Sequence, residues 1–202
     1  MSDDLNLPLS GVRVLDLTTI LFGPYATQIL GDFGADVIKI EAPGGDPIRY
    51  LGPARNSGMG ALFLGANRNK RSIMLDLKRA EGCDALWRLM DEADMFVHNV
   101  RPHKILSLGF GPDEVLRRRP GIIYGGLHGY REDGPYGGRP AYDDVIQGAS
   151  GIAGLFLERD GEPQLVPSVI AAKSAAPRAS SGLIAAYVKR LRKGKGVYME
   201  CS

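Results

Sequence analysis

The stretch VRVLDL, Val12 to Leu17, with TTILFGPYATQILGDFG, Thr18 to Gly34, and DVIKIE, Asp36 to Glu41, decides the fold class. VRVLDL is a short β-branched and leucine-rich run that suits a buried parallel strand. A turn containing Gly23 and Pro24 follows. Pro24 fits the first position of a helix, and PYATQILGDFG carries that helix to Gly34. DVIKIE reads as a second strand. A strand, a helix of roughly ten residues and a strand form a βαβ unit, whose crossover is right-handed in nearly all proteins.

From Ala42 to Gly65 the composition shifts to Gly, Pro and Arg, which predicts a long surface loop. SIMLDL, Ser72 to Leu77, is the third predicted strand. EGCDALWRLMDEA, from Glu81, places Ala85, Leu86, Leu89, Met90 and Ala93 on one helical face. DMFVHNV, Asp94 to Val100, is the next strand, broken by Pro102. A short helical stretch, His103 to Leu108, and GPDEVLRRR, from Gly111, lead to the strand GIIYGG, Gly121 to Gly126. A second Gly/Pro-rich loop spans Gly129 to Pro140, and a short helix weakened by glycines starts near Val145. Residues 158–163 read as a polar turn. A final helix, about Pro177 to Leu191, precedes the strand GVYMECS, Gly196 to Ser202, and a chain that stops on a strand reads as a cut.

Alternating strands and helices predict one α/β unit over residues 1–202: Rossmann-like, with an open, mostly parallel sheet and helices on both faces. Such sheets bind ligands beyond the carboxyl ends of their strands, so the loops after Leu17, Glu41, Leu77, Val100 and Gly126 are the first candidates. A dinucleotide site needs G-x-G-x-x-G at the first strand–helix turn, so that backbone can approach a pyrophosphate. Here that turn has one glycine among bulky Ile20, Leu21 and Phe22, which argues against NAD. His98, His103 and His128 lack metal-ligand spacing and read as ordinary strand-end or loop residues. Ser150, in GASG, is not on a nucleophile elbow, which argues against a hydrolase. The pair Asp143–Asp144 reads as a helix N-terminal cap before it reads as acid/base carboxylates.

With 44% apolar and 24% charged residues and a formal charge of +2, the 202-residue chain is ordinary for a globular protein. Neither nucleic acid nor a membrane is indicated as main partner. MSDDLNLPLS lacks the features of a signal peptide, and Cys83 and Cys201 are too few for a disulfide framework. Both cysteines fit small buried residues in a reducing cytoplasm.

Several stretches together resemble the family III CoA-transferases, the group of formyl-CoA and carnitine-type transferases and α-methylacyl-CoA racemase. They are LSGVRVLDLT from Leu9, GPYATQILGDFGADVIKIEAPGGD from Gly23 to Asp46, and NKRSIMLDLK from Asn69 to Lys78. ADMFVHNVRP from Ala93, GYREDGP from Gly129 and YDDVIQGASG from Tyr142 complete the set. The resemblance implies a cytoplasmic enzyme that moves CoA from an acyl-CoA to a carboxylic acid, with no permanently bound cofactor or metal. It also implies an interlocked homodimer of longer chains, in which a smaller domain and a return segment absent here follow this Rossmann-like part.

By the same resemblance Thr19, Ile20, Leu21 and Phe22 approach the nucleotide and pantetheine, Leu21 standing where formyl-CoA transferases have glutamine. Leu75 and Lys78 match an adenine-side and a phosphate-side residue, and Asn99 and Val100 match an Asn-aromatic pair whose aromatic is lost. Ala42 replaces a phosphate-side arginine, for which Arg101 or Lys104 would compensate. Tyr142 matches a transferase tyrosine where the racemase has its catalytic histidine, which favours the transferase branch.

In the family an aspartate attacks the thioester carbonyl, and an acyl anhydride and then an enzyme-bound CoA thioester follow. The family's V-P-S-x-x-A-D-K-like stretch appears here as VPSVIAAK, Val166 to Lys173, so the aspartate falls on Ala172, whose methyl group cannot attack. Pro177 inside a helix costs about 3 kcal/mol, so the helix is expected to start there and displace residue 172. The resulting expectation is a transferase domain inactive alone. A non-catalytic CoA-binding or pairing module is the second reading and a racemase-type isomerase the third. A cut domain should also expose apolar surface.

Overall fold

The computed structural model describes residues 7–202, so the first part of the polar start, MSDDLN, lies outside the described residues. Six parallel strands build one sheet in the order β3-β2-β1-β4-β5-β6. They are β1 (Arg13–Leu17), β2 (Asp36–Glu41), β3 (Lys70–Met74), β4 (Met95–His98), β5 (Ile123–Leu127) and β6 (Val197–Cys201). Side chains alternate between two apolar clusters, as the period of a strand requires. Val14, Val37, Met95, Val97 and Ile123 face α1 (Phe22–Asp32), while Leu15, Ile38, Phe96 and Tyr124 face the opposite side.

The remaining helices are α2 (Ala61–Ala66), α3 (Ala80–Asp91), α4 (Pro102–Ser107), α5 (Pro112–Arg118), α6 (Asp143–Ala149), α7 (Ile152–Asp160) and α8 (Ile170–Lys193). α8 joins α1 on one face through Ala176, Ala179, Leu183 and Ala186. Leu86 and Met90 of α3, Ile105 of α4 and Val115 of α5 cover the other. The Rossmann-like α/β class with helices on both faces is therefore observed.

Several local expectations are corrected. The stretch 42–65 is not one loop: a 3₁₀ turn, Pro47–Tyr50, and most of α2 lie within it. β3 begins two residues before Ser72 and ends at Met74, and Leu75 and Leu77 pack against the core beyond the strand. Helix α7 runs through Asp160 into the expected polar turn at 158–163. Helix α8 starts at Ile170, with Pro177 inside it, because burial of Ala176, Ala179, Ser180 and Leu183 outweighs one lost hydrogen bond. Cys83 and Cys201 are half-buried and free rather than buried. No helix among the described residues is long and apolar enough to cross a membrane.

Candidate functional site

The sheet order reverses between β1 and β4, and open α/β sheets take ligands in the crevice at such a point. The loop leaving β1 is fixed there residue by residue. The Thr18 N–H donates to Asp16 Oδ1 at 3.0 Å, and the Thr18 carbonyl accepts from Lys39 Nζ at 2.8 Å. Asn99, just past β4, accepts from the Thr19 N–H at 3.0 Å and donates to the Thr19 carbonyl at 2.8 Å, so it ties the ends of the two strands together. The Ile20 N–H reaches Asp46 Oδ1 at 3.2 Å. Ile20 takes φ +70°, a left-handed conformation that β-branched residues rarely adopt. Thr19 and Ile20 face outward, whereas Leu21 is buried and Phe22 packs against the α1/α8 core.

Beneath this loop lies a row of buried charges that the sequence reading missed. Asp16 and Lys39 are register partners on β1 and β2. Lys70 pairs with Asp16 at 2.8 Å and Lys39 with Asp46 at 2.9 Å, all four side chains being sealed from solvent. Burial alone would raise the Asp16 carboxyl, but Lys70 and Lys39 overcome that and hold its pKa at about 2. Burial lowers the pKa of Lys70. Glu41, at the end of β2, accepts from Arg49 Nε at 2.7 Å, Ser72 Oγ at 2.5 Å and the Asp46 N–H at 2.8 Å. Burial opposes these donors, yet Arg49 and Ser72 still hold Glu41 at about 2. A lone acid inside VLDL beside a lone base inside VIKIE, in strands covered on both faces, was the signal that could have found this row.

Leu75 lines an open groove of about 350 Å³ with Met74, Asp76 and Arg79. Lys78 is exposed nearby, its backbone N–H bonded to Asp76 Oδ1 at 3.1 Å. Val100 packs against the core on the α3 side, and Arg101 and Lys104 are exposed at the start of α4.

The second group of predicted residues gathers at the start of α8. Ala172 lies in its first turn, half-buried, with its N–H donating to Asp143 Oδ1 at 2.9 Å. The Ala171 N–H reaches Asp143 Oδ2 at 3.3 Å. Gln147, 2% exposed, donates to the same Oδ2 at 2.9 Å and to the Ser168 carbonyl at 3.0 Å, and accepts from the Val166 N–H at 2.8 Å. The stretch from Val166 to Ala172 is thereby pinned to α6. The reading of the acidic pair as the cap of their own helix is corrected: both stand inside the first turn of α6, Asp143 caps α8 instead, and Asp144 accepts only the adjacent Val145 N–H. With three N–H donors on it, the Asp143 carboxylate holds the backbone at residue 172. Tyr142, the residue before α6, is 73% exposed. The two groups meet through α1 and α8, where Ser180 Oγ donates to the Ala26 carbonyl at 2.9 Å.

His98 and His128 stand at the carboxyl ends of β4 and β5 with ring centroids 5.8 Å apart. His98 is 1% exposed, and neither of its ring nitrogens makes a well-formed hydrogen bond. Burial, then the neighbouring His128, push its pKa down to about 3. Burial lowers His128 as well. His103 is exposed on α4, and no cluster able to hold a metal occurs among the described residues. Ser150 closes α6 and bonds to the Gln147 carbonyl, as its position in a helix implied.

Comparison with known proteins adds a name to this geometry. The family model described as CoA-transferase family III matches residues 9–202. The chain is 37% identical over 196 residues to succinyl-CoA:glutarate CoA-transferase of Mus musculus, covering 96% of this chain and 45% of that protein. It is 37% identical over 193 residues to formyl-CoA:oxalate CoA-transferase of Escherichia coli, covering 95% of this chain and 46% of that one. The crystal structure of a CAIB/BAIF family protein from Brucella suis superposes with TM-score 0.91 at 37% identity, over 96% of this chain and 52% of the other. The chain thus spans about half the length of the curated relatives it matches.

Proposed function

Because this chain belongs to CoA-transferase family III, we propose that its crevice binds a CoA thioester and serves a transferase that moves CoA from an acyl-CoA to a carboxylic acid. The observation that carries the reading is the loop Thr18–Ile20, locked to Asn99 and Asp46 where the sheet order reverses. It presents side chains of Thr19 and Ile20, not a glycine-rich pyrophosphate cradle, so it fits the CoA thioesters named for the family's members better than a dinucleotide. In this reading Leu75 and Lys78 lie on the adenine and phosphate side, Asn99 and Val100 lie near the CoA, and Tyr142 takes the place of the transferase tyrosine. Two free cysteines fit the cytoplasm as compartment.

The family's chemistry needs a carboxylate oxygen to attack the thioester carbonyl carbon, whereupon the carbon–sulfur bond breaks, CoA leaves as thiolate and an anhydride forms. Residue 172 supplies a methyl group at that place, and the nearest carboxylate, Asp143, is engaged by the N–H groups of residues 171 and 172. The chain as it stands therefore binds without turning over. That favours a CoA-binding module as the second reading, and Tyr142 in place of the racemase histidine disfavours an isomerase.

Isothermal titration of the chain with CoA and with NAD tests the first part: CoA binds and NAD does not. Uptake of NAD without CoA would end the proposal. Incubation with an acyl-CoA followed by intact-mass measurement tests the second, with no covalent adduct expected; an acyl or CoA adduct on the native chain would overturn the role given to Ala172.

A further inference from the structure

Ile20 is a β-branched residue held at φ +70° on the surface, with 46% of its area exposed, so burial of its side chain does not explain the strain. Strained residues persist only where their surroundings over-determine them, and they concentrate at ligand clamps. Here the surroundings are costly too. Lys39 and Asp46 are both fully removed from water, where an ion pair returns little net stability over apolar packing. Each member holds the loop as well as its partner: Lys39 Nζ donates to the Thr18 carbonyl at 2.8 Å, and Asp46 Oδ1 accepts from the Ile20 N–H at 3.2 Å. Asp46 Oδ1 also accepts from the Ile48 N–H at 3.1 Å, so the following turn shares the anchor.

We propose that Lys39 and Asp46 are positioning residues, a buried ion pair that holds Ile20 in its left-handed conformation and so fixes the side chains of Thr19 and Ile20 at the crevice before ligand arrives. This rests on the reading of the crevice as the CoA site. A loop fixed beforehand need not be ordered on binding, which is how preorganisation raises affinity. The pair itself touches no ligand; it acts through the Thr18 carbonyl and the Ile20 N–H.

The experiment compares the native chain with Asp46→Asn and with the double variant Lys39→Met, Asp46→Leu, which replaces both charges by apolar groups and leaves Lys70 as the direct partner of Asp16, so that it still folds, with some stability lost because Asp16 has one cation fewer beside it. CoA affinity by titration calorimetry should fall about tenfold or more in both, measured at a temperature where the double variant is still folded by its own melting curve. The loss from Asp46→Asn should shrink to within about threefold when Ile20→Gly is also present, because glycine carries no penalty at positive φ. Amide hydrogen exchange at residue 20 in the ligand-free protein should be slow in the native chain and fast in the double variant. A folded double variant with native CoA affinity and native protection at residue 20 would overturn the assignment, as would an Asp46→Asn loss unchanged by Ile20→Gly. If the native chain takes up no CoA, the reading of the crevice falls, while the exchange data alone still decide whether the pair holds the loop.

Discussion

Lowering the pH from about 7 to about 5 protonates a histidine of the unfolded chain, whose pKa is about 6.5, but leaves His98 of the native fold neutral at its pKa of about 3. The unfolded state then binds the extra proton, so stability falls as the pH falls. The contribution is complete above about 6.5 and is lost progressively down to about 3, at about 1.4 kcal/mol for each pH unit well inside that window. At pH 5 the deficit from His98 alone is about 2 kcal/mol, a large share of the total for a domain of this kind. His128, also shifted down by burial, adds in the same direction. Asp16 and Glu41, both held at about 2, lose their contribution only below about pH 4.5 and stay outside the window. Urea unfolding can be followed through Trp87, the single tryptophan, which packs 5.0 Å from Phe110. A His98→Phe variant keeps an aromatic ring beside Phe96 and Tyr124 without a titrating nitrogen. The native chain should lose about 2 kcal/mol or somewhat more between pH 7 and pH 5, and the variant only the part due to His128. Equal losses in both proteins, or a native stability flat across that range, would refute the reasoning.

Three further outcomes are expected. Lys70→Met leaves Asp16 as a buried charge with one cation fewer and should destabilise by about 3–5 kcal/mol in the same urea assay. Asp143→Ala removes the acceptor of the first N–H groups of α8 and should lower stability by about 1–2 kcal/mol, a loss that Asp143→Asn should partly spare, as thermal melts will read. Pro177→Ala supplies the missing N–H inside α8 and relieves the ring, and should raise stability by up to about 3 kcal/mol; a lower melting temperature would contradict it.

What could be read from the chain alone was what local pattern carries. β1 and β2 lie within a residue of their predicted bounds because both are dense β-branched runs. The run SIMLDL misled because apolarity served packing beyond the strand: Leu75 and Leu77 touch the core, while polar Lys70 opens β3 and sends its amine under the sheet to Asp16. That partner is 54 residues away, and no local pattern names it. Pro177 misled for the converse reason, since a strong local rule yielded to tertiary burial of α8. Helix α7 was hidden by Gly151 and Gly154 and buries no residue, leaving Leu155 and Leu157 exposed. At the candidate site the individual residues are proposed through family likeness, but Asp143 as the group holding residue 172, and Lys39 and Asp46 under Ile20, required the folded arrangement.

The pairing of α1 with α8 bears on how the molecule is made. Ala26 and Ser180 are bonded across 154 residues, and Ala26 and Leu30 share one buried cluster with Ala176, Ala179 and Leu183. A nascent polypeptide emerging from the ribosome therefore carries part of one face of its sheet, and the outer side of α1, uncovered until α8 has been synthesised, and closure between such distant segments is intrinsically slow. The opposite face, covered by α3, α4 and α5, can assemble earlier, so chaperone engagement during synthesis should centre on α1 and release once α8 docks.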